Sequence, residues 1–234
     1  MKVLANFEDN HKISSNSSLD GLLDGGFEKG TVTQIFGSPS SGKSNVTLTL
    51  AVNVAKNSRK VIYIDTEGGI SIDRIKQISG PYFSNVANNI IVFEPTDFLE
   101  QTETLRSIDV WIKKHHEEVD LIVLDSAVAL YRVDDMKSYK LSKELRKQMQ
   151  LLSNIARKHD IAVVITNQIY NAFDDDGNNE VKAVGGDILE YTSKVIIKLE
   201  RGEETNQRVA TLKRHRSLPE GMQVTFSITS NGIV

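Results

Sequence analysis

Short apolar runs along the chain alternate with longer stretches in which apolar residues recur every three or four positions. Thr31–Phe36 (TVTQIF), Lys60–Asp65 (KVIYID), Asn89–Phe93, Leu121–Asp125 (LIVLD) and Ile161–Thr166 (IAVVIT) read as strands. Leu121–Asp125, short and fully apolar up to its closing carboxylate, suits a buried strand of a parallel sheet. Between them, Ser44–Lys56, Ile72–Ile78, Thr102–Lys114 and Leu141–Arg157 carry helical spacing. Leu105, Ile108 and Ile112 form one stripe, and Leu145, Met149, Leu152 and Ile155 another. Strand and helix in alternation predict βαβ units and an α/β sheet.

Both ends depart from this rhythm. After residue 184, Thr192–Glu200, Arg208–Lys213 and Gln223–Ile228 read as strands with little helix between them. They predict antiparallel strands added at the C-terminal edge, with turns at Arg201-Gly202-Glu203 and Pro219-Glu220-Gly221. Residues 1–16 are weakly patterned and read as an arm or an added edge segment; residues 17–234 read as the core. A short helix is expected after Ser17-Ser18, with Leu19, Leu22 and Leu23 apolar, ended by Asp24-Gly25-Gly26.

Composition narrows the chemistry. The chain has 234 residues, enough for one α/β domain and a short extra segment. It has no cysteine, which excludes disulfides, thiolate metal sites and cysteine nucleophiles. The polar first 18 residues lack the apolar stretch of a signal peptide, and no run of about 20 apolar residues exists to span a bilayer. A cytoplasmic protein without a membrane partner is expected. A net charge of -3 leaves a local basic patch as the only route to nucleic-acid contact. His115, His116 and His159 have no partners at metal-ligand spacing.

The segment Gly37-Ser38-Pro39-Ser40-Ser41-Gly42-Lys43-Ser44 matches G-x-x-x-x-G-K-[ST], with a predicted strand before it and a predicted helix after it. Glycines let backbone amides turn inward around phosphate oxygens, and the following helix adds its N-terminal dipole. Lys43 is placed to meet β- and γ-phosphates and Ser44 to ligand Mg²⁺. Asp125 ends a buried apolar run, where ligands lie in parallel sheets, and reads as the second Mg²⁺ group; a helix cap is the alternative. Glu67 follows Lys60–Asp65 beside Gly68-Gly69. It reads either as a general base for a water in line with a γ-phosphate or as a loop carboxylate facing solvent. Gln168 ends IAVVITNQ, where a carboxamide senses a phosphate or orients water.

Together these residues resemble the RecA/RadA/Rad51 recombinase family, and within it the short archaeal paralogues that lack an N-terminal helix-hairpin-helix domain. The pieces are Ser18-Leu19-Asp20, Leu22 to Gly26, the phosphate loop, Tyr63 to Gly68, Leu121 to Ser126, Thr166-Asn167-Gln168, Gly185-Gly186 and Lys213 to Gly221. The resemblance runs from about residue 17 to the end. It implies a RecA-like P-loop NTPase core that binds ATP and Mg²⁺, with Glu67 activating water and Gln168 linking nucleotide state to DNA. It also implies weak ATPase activity, DNA repair and recombination as the setting, and a recombinase or other recombination protein as partner.

Family members contact single-stranded DNA through two loops, here near Leu130–Ser138 and Ile169–Val184. Arg132, Lys137, Tyr170, Phe173 and Lys182 are the candidate contacts. Asp174, Asp175, Asp176 and Glu180 oppose a phosphate backbone, whereas Tyr170 and Phe173 offer stacking faces. The basic tail Lys213-Arg214-His215-Arg216 has three readings. Arg214 or Arg216 meets a neighbouring protomer's γ-phosphate in a homo-oligomer, the cluster touches DNA, or it is a solvated turn. Two other functions share this core: a non-enzymatic ATP-binding adaptor of a recombinase, and a KaiC-like signalling ATPase or autokinase.

Overall fold

The computed structural model describes residues 11–134, 138–173, 179–183 and 185–234, with residues 138, 170–173 and 179–183 described by their backbone alone. Two short strands, β1 (Lys12–Ile13) and β2 (Phe27–Glu28), pair antiparallel across α1 (Leu19–Leu22). The main alternation follows: β3 (Val32–Gly37), α2 (Lys43–Lys56), β4 (Lys60–Asp65), α3 (Ile72–Ser79), α4 (Phe83–Asn89), β5 (Ile90–Phe93), α5 (Phe98–His115), β6 (Val119–Asp125), α6 (Ala129–Val133), α7 (Ser138–His159) and β7 (Ala162–Phe173). The chain closes with β8 (Asn179–Ala183), α8 (Gly186–Thr192), β9 (Val195–Arg201), β10 (Gln207–Arg214), β11 (Gln223–Thr229) and β12 (Gly232–Ile233).

Among the described residues the main sheet has ten strands, in the order β12-β11-β10-β9-β3-β7-β6-β4-β5, with β8 paired to β7. From β9 to β5 every pairing is parallel. Strands β10, β11 and β12 extend the sheet antiparallel beyond β9. This is the RecA-like architecture expected, mostly parallel with an antiparallel edge.

Strand alternation divides the core between the two faces. Val61, Tyr63, Leu121 and Val123 point to the side packed by α2, α3 and α4. Ile62, Ile64, Ile122 and Leu124 point to the side packed by α5 and α7. Helix α2 is buried from Val46 to Ala55, on nearly its full circumference. That explains its weak amphipathic pattern: its neighbours α3, α4 and β12 leave it no solvent face, and packing overrides the low helix propensity of its β-branched residues.

Several boundaries move for local reasons. Helix α5 begins at Phe98 rather than Thr102, because Asp97 caps it by accepting from Glu100 N at 2.8 Å while Glu100 accepts from Thr96 N. Strand β7 runs past the expected end at Thr166 to Phe173, because its final residues gain β8 as a partner, with Ile169 opposite Ala183 and Phe173 opposite Asn179. The second expected loop is therefore in part a hairpin. Helix α8 lies in a stretch to which no element was assigned, and its last residue, Thr192, ends that helix instead of opening β9. Helices α4 and α6, seven and five residues long, carry too few apolar positions to show a period. Among the described residues no helix is long and apolar enough to cross a membrane.

Candidate functional site

Parallel strands end at one edge of the sheet, so the residues at their carboxyl ends converge. Gly37 at the end of β3 lies opposite Gln168 on β7, and Asp65 on β4 lies opposite Asp125 on β6. A cleft of about 450 Å³ opens there, lined by Lys43, Ser44, Glu67, Asp125 and Gln168 together with Pro39, Ser40, Gly42, Asn45, Asn206, Arg208 and Ile228.

The loop from Gly37 to Gly42 is shaped by its small residues. A Cβ on Gly37 would lie 2.3 Å from Leu199 O and 2.7 Å from Ser41 Oγ, so β9 can pass this closely only beside glycine. Gly42 takes φ 99° at the start of α2, a left-handed turn that aims the helix N-terminus back at the loop. No side chain caps α2, so its first-turn N–H groups are available to an anion in the cleft. The buried Ser41 hydroxyl has no hydrogen-bond partner, a donor suited to a phosphate oxygen.

Lys43 is buried and donates to Gly37 O at 3.1 Å and Ser38 O at 3.0 Å. An ammonium has three protons, so one remains for a ligand. Burial lowers its pKa, and Asp125 and Glu67 nearby oppose that shift. A phosphate in the cleft would repair the same desolvation.

Asp125 is buried, with both oxygens held. Tyr63 OH donates to Oδ2 at 2.8 Å and Thr166 Oγ1 to Oδ1 at 2.5 Å. Tyr63 OH also pairs with Thr47 Oγ1 at 2.9 Å, and Thr47 Oγ1 lies 3.1 Å from Ser44 O. Burial first, and then the Asp125 charge, raise the Tyr63 pKa, keeping the phenol protonated. Two bonds leave each carboxylate oxygen a further lone pair, enough to bind a metal-bound water. Among the described residues no group of three or more His, Cys, Asp or Glu could hold a metal ion. Mg²⁺ at such a site relies on phosphate and water, with few protein ligands, and Ser44 and Asp125 fit that role. The Asp125–Ser126 peptide bond is cis.

Asp65 shapes the loop carrying Glu67, accepting from Glu67 N at 3.1 Å and Ile70 N at 2.7 Å. Glu67 Oε1 accepts from Gln168 Nε2 at 2.7 Å, and Gln168 Oε1 accepts from Arg132 Nη1 at 2.5 Å. Arg132 therefore stands one hydrogen bond from the cleft, at the end of α6. Lys137 lies outside the described residues, as do the side chains of Tyr170, Phe173 and Lys182.

Arg214 and Arg216 are not among the residues that line the cleft. Arg214 binds Glu190 at 2.9 Å, and Arg216 binds the buried carboxylate of Glu28 at 2.5 Å. The sequence pattern gave no notice of Arg208. Its guanidinium donates to Ser40 O at 3.3 Å and Gln207 O at 2.7 Å, and its Nε is buried without a partner. Only the antiparallel register that lays β10 beside β9 brings this residue to the loop.

A model of the Rad51 family matches residues 11–234. The DNA repair and recombination protein RadB of Methanobrevibacter smithii is 70% identical over 234 residues, covering 100% of both chains. The protein of that name from Methanothermobacter thermautotrophicus is 47% identical over the same span, again covering 100% of both. A solved structure, described as the crystal structure of the RadB recombinase, superposes with a TM-score of 0.80 at 35% identity, covering 94% of this chain and 98% of that one.

Proposed function

The chain belongs to the Rad51 family, as a recombinase paralogue of the RadB kind, and from that premise we propose that it binds Mg·ATP in the cleft at the end of β3 and turns it over slowly during DNA repair and recombination. One observation carries this reading. Lys43, Asp125, Glu67 and Gln168 come from segments far apart in the chain and line one cleft with the phosphate loop. In this assignment the loop amides, Ser41 and Lys43 hold the phosphates. Ser44 and Asp125 place Mg²⁺, which supplies charge neutralisation and orientation. Glu67 takes a proton from water, and Gln168 reports the occupant of the cleft. ATP over GTP follows the family. DNA, single-stranded for preference, and a recombinase or other recombination protein are the proposed partners, as is assembly with further copies of the chain. Residues 17–234 are assigned to the core and residues 1–16 to an arm, of which residues 12–13 form β1.

A second reading is favoured by the Glu67–Gln168 hydrogen bond, which engages both water-handling groups with each other. On that reading the chain keeps ATP without turnover and acts as an adaptor. Titration with a fluorescent ATP analogue, beside a phosphate-release assay, separates the two. Binding with slow release supports the first, and binding with no release supports the second. No binding sinks both. DNA anisotropy across nucleotide states tests the partner: absence of salt-sensitive binding in every state removes direct action on DNA.

A further inference from the structure

Helix α7 carries Lys140, Lys143, Arg146, Lys147, Arg157 and Lys158 against one acid, Glu144. Its residues Lys140, Lys143, Lys147, Gln150, Asn154 and Lys158 are all exposed and recur every three or four positions. They therefore form one line, on the face turned away from the buried Leu145, Met149 and Leu152. From Lys140 to Lys158 the line is about 27 Å long. Glu144 pairs with Lys147 at 2.9 Å and with Arg106 of α5 at 3.4 Å. Among the described residues no ion pair joins the other five cations to an acid.

Helix stability does not account for this placement. Arg157 and Lys158 sit in the last turn, where the helix dipole favours cations. Lys140 and Lys143 sit in the first two turns, where it opposes them, and the first turn holds no acid. Lys143 also has Lys140, Arg146 and Lys147 as like charges three or four residues away, each a small cost. An anion lying along the face offsets all of these.

We propose that the outer face of α7 binds the phosphate backbone of a nucleic acid, as a track that leads away from the two loops. The proposal rests on nucleic acid being a partner, as read above, and names a surface for it. Helix α7 starts at the cleft edge of the sheet, after β6, and ends at the opposite edge, where β7 begins. On a chain of net charge -3 this face is a local basic patch of the kind nucleic-acid contact needs. An acidic protein segment would need apolar anchors, because protein interfaces centre on buried aromatic and aliphatic side chains. Among the described residues the only large apolar side chain exposed on α7 is Tyr139, in its first turn. A phosphate backbone needs no such anchor. Release of its counterions supplies the affinity, and Gln150 and Asn154 can donate to phosphate oxygens between the cations. One strand of a duplex sets a phosphate about every 3.4 Å of axis, so the line faces about eight of them.

The test measures anisotropy of labelled single- and double-stranded oligonucleotides, without nucleotide, across a range of salt concentrations. Wild type is compared with Lys143→Gln/Lys158→Gln and with Lys76→Gln/Lys194→Gln, exposed lysines before β9 and on α3 serving as the control. The α7 pair is expected to lower the slope of log affinity against log salt by about 1.8 on a duplex, or about 1.4 on a single strand, which also tells which form lies on the helix. The control pair is expected to keep the wild-type slope. An α7 pair with the wild-type slope, or a control pair that falls as far, overturns the track. So does Lys158→Gln without effect on its own, which confines the contact to the start of the helix. Polyglutamate that binds wild type more tightly than either oligonucleotide at equal charge overturns the assignment in favour of an acidic protein. Wild type that binds no oligonucleotide removes the nucleic-acid partner itself, and the track falls with it.

Discussion

Tyr63 and Asp125, 62 residues apart in the chain, meet through a buried 2.8 Å hydrogen bond between the phenol and Oδ2. Thr47 on α2 lies 2.9 Å from the same phenol, so strand β4 ties the helix after the glycine-rich loop to the carboxylate at the end of β6. Tyr63→Phe keeps the ring packing and leaves two buried polar groups short of a partner. A loss of about 1–3 kcal/mol is expected in urea unfolding. Weaker Mg²⁺ dependence of nucleotide binding should accompany it, because Asp125 loses one of the two groups that aim it. An unchanged unfolding midpoint would count against this bond.

Lys43→Ala should lower nucleotide affinity at least tenfold, since a charge-assisted hydrogen bond contributes about 1.5–3 kcal/mol. The pH dependence is more specific. Burial lowers the Lys43 pKa from 10.5 in the empty cleft. Charged Lys43 is then a cost to folding, present in full below the lowered value and relieved as pH rises toward 10.5. An anionic ligand favours the charged form. Binding in the alkaline range below 10.5 should therefore take up protons, seen as calorimetric heats that vary with buffer. Lys43→Met should abolish that uptake.

Arg208→Ala removes a guanidinium that reaches Ser40 O and lines the same cleft as Glu67 and Gln168. Nucleotide affinity should fall about threefold to tenfold, on the scale of one net hydrogen bond, with little change in unfolding midpoint. Arg214→Ala serves as the comparison, because that side chain binds Glu190 away from the cleft. Equal effects from the two variants, measured in monomer-range titrations, would argue against a role for Arg208 in the cleft.

His215 makes stability pH-dependent. Its Nδ1 accepts from Ser217 N at 3.1 Å and Leu218 N at 3.2 Å, which places the proton on Nε2, 3.5 Å from Glu28 Oε1. Arg216, Lys12 and Asp24 complete the charged surroundings. Burial lowers the His215 pKa, with Glu28 opposing. The unfolded chain therefore binds more protons here than the folded chain. Stability is full above pH 6.5 and falls as pH drops from 6.5 through the lowered value. The melting temperature should drop by about 2 °C or more between pH 7.5 and 5.5. His215→Asn, which keeps an acceptor near Nδ1, should flatten that slope; an equal slope in both chains would assign it elsewhere.

The parts of the site legible in the sequence share one property: their position is fixed by local chain chemistry. Gly37 to Ser44 form a contiguous loop between a strand and a helix. Asp125 and Gln168 each end an apolar run, and the end of a buried parallel strand faces the ligand edge. Glu67 follows such a run by two residues, within reach of the same edge. Helix α8 and the hairpin of β7 and β8 were not legible. Each depends on partners elsewhere, α8 on α7 and β8 on the end of β7, and neither leaves a long enough period to detect.

The sequence by itself determined the layered α/β architecture, the tight loop from Gly37 to Gly42 and which carboxylates stand at strand ends, because hydrophobic period and glycine position act over a few residues. Only the tertiary structure decided the fate of the arginines. Arg208 joins the cleft, Arg132 meets Gln168, and Arg214 and Arg216 turn to Glu190 and Glu28. A guanidinium binds whatever carboxylate or carbonyl the strand order and antiparallel register bring within 3 Å or so. Those neighbours lie dozens to nearly two hundred residues away in the chain, and no local pattern encodes them.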